Sequence, residues 1–243
     1  MKRAWAIAKK DFRQALRNHY FIGIFLLAIV VSFGLRQFLF MPEANLKEDE
    51  AILAVRFMVS MAFFTPIGMV GAMTVPLLMV EEKERETLRF LLVSPASISD
   101  VLIGKTIVGV VVGMIIGVIA IAIVGELESL LSVMVLLVLL ISSALCTGVG
   151  LLSSAFFKTA LQSNTWSGIP LLVFLGGLLG DAVPPETVMA EALKLLPSHS
   201  ASALLAASLG THLPADAMLG HCIYLGIWIA AIYALTLRLY WHD

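Results

Sequence analysis

Apolar positions along the chain fall in long continuous runs, not at alternate positions, and short polar segments separate the runs. Runs of about twenty residues suit helices, which satisfy their own backbone in hydrocarbon, whereas a membrane barrel would alternate lipid-facing and lumen-facing side chains. The pattern predicts six membrane-spanning helices, over 20–40, 57–80, 105–124, 130–153, 165–180 and 219–240. The third run holds twelve Val or Ile residues between Thr106 and Val124. At about 0.4 kcal/mol each, these favour insertion by roughly 5 kcal/mol before the glycines are discounted. The fifth run is short and glycine-rich.

Composition supports the same reading. Of 243 residues, 60% are apolar and 14% charged, and the mean hydropathy is +0.97. Soluble domains are roughly 45–50% apolar and 25% charged. A soluble globular protein, a disordered segment and a nucleic-acid binder are therefore excluded. The net charge is −1, so information lies in where the charges sit. Lys2, Arg3, Lys9, Lys10, Arg13, Arg17, Lys83, Arg85, Arg89, Lys105, Lys158 and Arg238 fall on one side of the predicted spans, and only Arg36, Lys47, Arg56 and Lys194 on the other. Basic residues mark the cytoplasmic side, which predicts that both termini are cytoplasmic. Cys146 and Cys222 are too few for a disulfide framework or a thiolate zinc site.

Residues 1–19 precede a run that no small-x-small cleavage site closes, so this start reads as retained rather than as a signal peptide. Trp5, Ala8, Phe12 and Leu16 recur at helical spacing, with Lys9, Lys10, Arg13 and Arg17 on the opposite side. The segment is predicted to be an amphipathic helix in the headgroup plane. Residues 181–218 contain Pro184, Pro185, Pro197 and Pro214 and two short helical patterns, 186–196 and 200–209. Neither pattern can span. In the first, Val188, Met189, Ala192, Leu193 and Leu196 share a face. The segment reads as a re-entrant or interfacial cap on the outer side, with an ordinary extracellular loop as the other reading.

The one long cytoplasmic loop is 81–104, EEKERETLRFLLVSPASISDVLIG. In its charged first half Leu88, Leu91 and Leu92 recur at i, i+3 and i+4. Such an apolar stripe on a water-facing helix calls for a partner, with helix-in-groove docking as the mode. Ser94-Pro95 is predicted to end this helix and start a second, since proline suits a first turn and serine an N-cap.

The run Glu82-Lys83-Glu84, Thr87-Leu88, Leu91-Leu92, Ser94-Pro95 and Gly104-Lys105 closely resembles the cytoplasmic signature of ABC transporter permeases of the type-2 exporter class, roughly EKExGTLExLLxSPxS with GK farther on. Glu86 stands where the family usually has Gly, and Arg89 where it often has Glu. The resemblance covers the whole chain as a single ABC-2 type transmembrane domain, 1–243. It implies an all-α polytopic fold with six transmembrane helices, a coupling loop at 81–104 and a homodimer or a pairing with a paralogous half. It also implies a prokaryotic plasma-membrane location and a separate ATPase subunit that holds ATP and Mg. The residues it assigns to ATPase coupling are Glu82, Glu84, Leu88, Leu91, Pro95 and Ser97.

No cofactor is expected on the chain itself. Gly104-Lys105-Thr106 imitates the end of a phosphate loop, but the first glycine of that motif would fall at Ser99 and no buried strand precedes it. Met218, His221 and Cys222 lie at i, i+3 and i+4 and could face one soft metal ion, but with no second ligand group in sight helix packing is the better reading. Gly109, Gly113 and Gly117 on the third span, and Gly176 and Gly180 on the fifth, permit close helix approach within the chain; in the family the fifth span lies near the interface between halves, so Gly176 and Gly180 also suit self-association. The competing function is a stand-alone secondary transporter or channel, which would show intramembrane ionisable residues and an inverted repeat. The predicted spans contain no acidic residue and no clear repeat.

Overall fold

The computed structural model describes residues 2–39, 48–85, 97–124, 132–181, 183–184, 186–208 and 213–242, and among these there is no strand. The chain is all-α. Helix α1 (Lys2–Arg17) is followed by α2 (His19–Leu39), α3 (Glu48–Gly68), a π-helical turn (Met69–Thr74) and α4 (Val75–Glu84). Then come α5 (Ile98–Val124), α6 (Val133–Ser154), α7 (Ala160–Trp166), α8 (Gly168–Gly176), a 3-10 turn (Gly177–Leu179), α9 (Val188–Lys194), α10 (Pro197–Ser208) and α11 (Ala215–His242).

Among the described residues, five helical stretches are long and apolar enough to cross a membrane: His19–Gln37, Val55–Glu84, Ile98–Ile123, Val133–Ser154 and Ala215–Trp241. The chain is thus a multi-pass membrane protein. The predicted fifth span is not one helix. Its run breaks at Ser167, between α7 and α8, and tightens into the 3-10 turn. Gly168, Pro170, Gly176 and Gly177 explain this, since glycine and proline weaken a helix interior. The broken leg still runs from one end of the bundle to the other. Its first N–H, on Ala160, meets Glu84, and at its far end Gly180 abuts His199 and Lys194. The third span also differs from expectation: α5 is continuous from Ile98, so no separate short helix precedes Lys105 among the described residues.

The α3–π–α4 leg is the buried centre of the bundle, with Phe64, Ile67, Met79 and Val80 fully enclosed. Phe64 packs edge-on against Phe63 and against Phe174 of α8. Pro66 lies inside α3 and Pro76 in the first turn of α4, and the π turn falls between these two interruptions of the backbone ladder. There the leg presses on α6. A Cβ on Gly71 would lie 2.6 Å from Cys146 Cβ, and one on Gly150 only 2.1 Å from the Gly71 carbonyl oxygen. By contrast α2, α5 and α11 expose apolar side chains such as Leu26, Val30, Ile115 and Ile227, as lipid-facing helices do.

Helix α1 has three faces. Ala4, Ile7, Ala8, Asp11 and Ala15 are buried against the bundle, while Trp5 and Leu16 remain exposed and Phe12 is half-buried. Ala8 therefore separates from the apolar stripe to which the spacing assigns it. Trp5 and Leu16 turn away from the protein while Phe12 packs on the core, and the small residues let α1 lie close on α5, where Gly104 contacts Ile7 and the Ala4 carbonyl.

Candidate functional site

Helix α4 ends in Glu81-Glu82-Lys83-Glu84. Successive helical residues point about 100° apart, so these four side chains reach around the whole circumference of the helix. Each makes its own set of contacts. Glu81 accepts hydrogen bonds from Gln14 Nε2 and Asn18 Nδ2, both at 3.2 Å. Glu82 turns inward to Lys105 Nζ, 2.9 Å away, and to Lys10. Lys83 donates to the Ser154 carbonyl at 2.9 Å and lies 4.5 Å from the centroid of the Tyr240 ring, whose hydroxyl is 2.7 Å from Ser154 Oγ. Glu84 accepts from the Ala160 N–H at 2.9 Å. The end of α4 is thereby tied to α1, α5, α6, α7 and α11.

Lys105 is the centre of the inward branch. Its side chain is fully buried, and its ammonium meets Asp11 Oδ2 at 3.1 Å, Glu82 Oε2 at 2.9 Å and the Leu78 carbonyl at 3.2 Å. Two of its three donors make hydrogen bonds, to Asp11 and the Leu78 carbonyl, and the contact with Glu82 is an ion pair. Lys10 closes the group from the solvent side, 3.1 Å from Asp11 Oδ1 and bonded to Glu82. Burial alone would lower the Lys10 ammonium, but the Glu82 hydrogen bond and the two nearby carboxylates outweigh it and hold the group above its ordinary 10.5. Two cations and two anions make the cluster neutral. Neutrality and near-complete hydrogen bonding let charges persist away from water, where an unpaired charge would be costly.

The cluster sits where the long loop leaves and re-enters the bundle. Glu82 is on the outgoing helix and Lys105 on the returning one, and Asp11 of α1 meets the same ammonium. On the returning side Ser97 and Asp100 form a reciprocal N-cap for α5: Ser97 N and Oγ donate to Asp100 Oδ2 at 3.1 and 3.0 Å, and Asp100 N donates to Ser97 Oγ at 3.2 Å. Glu82 is only 4% exposed, whereas Glu84 and Ser97 are on the surface. Leu88, Leu91 and Pro95 lie outside the described residues.

Sequence reasoning passed over Asp11 and Lys105 as site residues. The available signal was one carboxylate in an otherwise basic helix, in line with Ala4, Ala8 and Ala15. It also found no acidic residue within a span, but Glu82 belongs to a continuous helix long enough to cross and is buried there.

The glycines of α5 form an antiparallel zipper with α6. A Cβ on Gly109 would lie 2.5 Å from Thr147 Oγ1, on Gly113 2.9 Å from Ser143 Oγ and on Gly117 2.2 Å from Leu139 Cδ2. Gly176 faces Leu196 and Leu193, and Gly180 faces His199 and Lys194, so both approach this chain's own 181–218 segment. Asp181 accepts a hydrogen bond from His199 across 3.2 Å, which together with Lys194 and Arg56 holds its carboxyl below the usual range. Met218 packs on the core, His221 is half-buried and Cys222 is exposed. No group of three or more His, Cys, Asp or Glu among the described residues could hold a metal ion. The interrupted fifth leg leaves an apolar groove of about 460 Å³ between Val149, Phe156, Trp166, Val173, Trp228 and Ile232.

Residues 5–242 match the family model described as ABC-2 family transporter protein. The chain belongs to this family. An ABC-2 permease is a membrane transport subunit, and the geometry of Gly104-Lys105 agrees with that role. Both residues lie inside a continuous helix, one pressed on α1 and the other enclosed by carboxylates, so they form no phosphate loop. No curated protein matches the sequence of this ABC-2 chain.

Proposed function

We propose that the chain is the permease half of an exporter powered by a separate ABC ATPase, acting as a dimer of like or paralogous halves in a prokaryotic plasma membrane with the α1 end in the cytoplasm. The observation that carries this reading is that both roots of the long loop are fixed in one ion cluster. A push on the loop cannot be absorbed by separate movement of α4 and α5, because Lys105, Glu82 and Asp11 hold the two helices and α1 together. The push passes to α6, α7 and α11 through Lys83 and Glu84. Nucleotide and Mg belong to the partner, and the permease needs only a contact that differs between two ATPase states. In this scheme Leu88, Leu91, Pro95 and Ser97 touch the ATPase, and Glu82 and Glu84 position the loop.

The test is co-expression with an ABC ATPase and capture through a tag on the permease. Leu91→Asp is expected to abolish capture of the ATPase while leaving membrane insertion intact. Unchanged capture would overturn the assignment of the loop. Transport that continues when no ABC ATPase is present would favour a stand-alone transporter.

A further inference from the structure

Between the polar side of α1 and the end of α4 lies an open cleft of about 1190 Å³. Lys9, Arg13, Arg17, His19 and Arg85 reach into it, with Lys10 at its floor. Its two carboxylates, Glu81 and Glu82, are already bound to Gln14, Asn18 and the cluster lysines. Five Lys and Arg against two Glu leave three cations in excess with His19 neutral, and no carboxylate among the described residues pairs with Lys9, Arg13 or Arg17. The cleft is therefore built for an anion.

What surrounds the cleft indicates which anion. The adjoining face of α1 exposes Trp5 and Leu16, and α2 begins at His19 and then exposes Ile22, Leu26 and Leu27. A basic cup thus opens directly onto an apolar shelf. We propose that the cleft holds the headgroup of an anionic glycerophospholipid, with its acyl chains lying along the exposed face of α2. The guanidinium groups of Arg13 and Arg17 donate to the phosphate oxygens, for which their planar forks are suited, and Lys9 and Arg85 add charge at the rim. An acidic segment of a partner protein would match the charge but leave the shelf unused. Bound lipid would fix α1 beside the loop roots and make the position of α1 sensitive to the charge of the leaflet.

The lipid measurement uses the full chain alone, without any ATPase, so that it stands apart from the coupling scheme. Purified protein is titrated with phosphatidylglycerol or phosphatidylcholine, and bound lipid is counted by native mass spectrometry. Wild type is expected to retain phosphatidylglycerol preferentially. R13Q/R17Q should weaken that binding by about thirty-fold, the worth of two basic residues near an anionic surface, while R13K/R17K keeps most of it. Both arginines are exposed, so thermal unfolding of the variants should match wild type; K9Q/R85Q gives an independent reading at the opposite rim. Equal retention of the two lipids, or phosphatidylglycerol binding indifferent to both charge-removing variants, would overturn the proposal. So would an R13Q/R17Q protein that keeps its lipid but no longer captures an ATPase on co-expression, since the cleft would then be a protein-docking site.

Discussion

Lys105 and Asp11 stand 94 positions apart in sequence, yet their side chains meet at 3.1 Å with almost no solvent exposure on either. This pair joins the amphipathic first helix to the helix that returns from the long loop. Glu82 brings in the outgoing helix through the same ammonium. Three segments that diverge in sequence are fastened at one atom.

Removing that atom should be costly. Lys105→Met leaves Asp11 and Glu82 facing one another with only Lys10 to balance them, and loss of one partner from a buried ion pair costs roughly 3–5 kcal/mol. A large fall in melting temperature in detergent is expected. In K105M/D11N part of the loss should return, with a coupling of about 0.5–3 kcal/mol between the two sites. Strict additivity of the two single substitutions would show that the residues do not act together.

The glycine contacts make a ranking testable. At Gly150 an added methyl group meets the Gly71 carbonyl, which belongs to backbone, whereas at Gly117 it meets side chains alone, the tip of Leu139 at 2.2 Å and Ile67 at 3.2 Å. Gly150→Ala should destabilise by about 1–3 kcal/mol as an overpacked core does, and Gly117→Ala by less, because Leu139 can rotate away. Thermal unfolding of the two variants side by side decides it, and equal losses would contradict the difference drawn between them.

Orientation can be read chemically. Thr187 and Lys158 are exposed at opposite ends of the bundle, and Cys146 is buried. In a C222S background, a membrane-impermeant maleimide should label T187C in intact cells and K158C only after permeabilisation. Cys146 should stay unlabelled in both. The reverse pattern would invert the topology that the basic residues predict.

A pH dependence is expected at the opposite end. Asp181 has its carboxyl lowered by His199, so the stability it contributes is present above the ordinary Asp value and is lost as pH falls through the lowered one. Asp181 is well exposed, which limits the effect to less than about 1 kcal/mol. Asp181→Asn should therefore lower the melting temperature slightly at neutral pH and match wild type in strong acid. An offset that persists in acid would assign the effect to packing.

Much of this architecture was legible because insertion into lipid leaves a coarse mark, a run of apolar residues as long as the bilayer is thick. The runs at 20–40 and 130–153 became α2 and α6 with ends displaced by a few residues. What could not be read was detail that depends on partners distant in sequence. Asp11 looks like one polar residue among many on a basic helix until Lys105 is placed beside it. The break at Ser167 was signalled only by a cluster of glycines that equally suits close packing. Glu82 appeared to be a solvated loop charge because its hydrophobic run ends at Val80, whereas tertiary contacts carry the helix one turn farther and bury the carboxylate.

The four anchored residues at the end of α4 also bear on which genetic changes the protein can absorb. Replacing any one of them leaves three attachments in place. Deleting or inserting a single residue within 75–80 is different, because it rotates everything beyond it by about 100° and shifts it by about 1.5 Å. Glu81, Glu82, Lys83 and Glu84 would then all face the wrong neighbours at once. The length of this stretch is therefore held more strictly than the identity of any one of the four anchored residues, so a one-codon change in length there would disable the protein more thoroughly than replacing any one of the four.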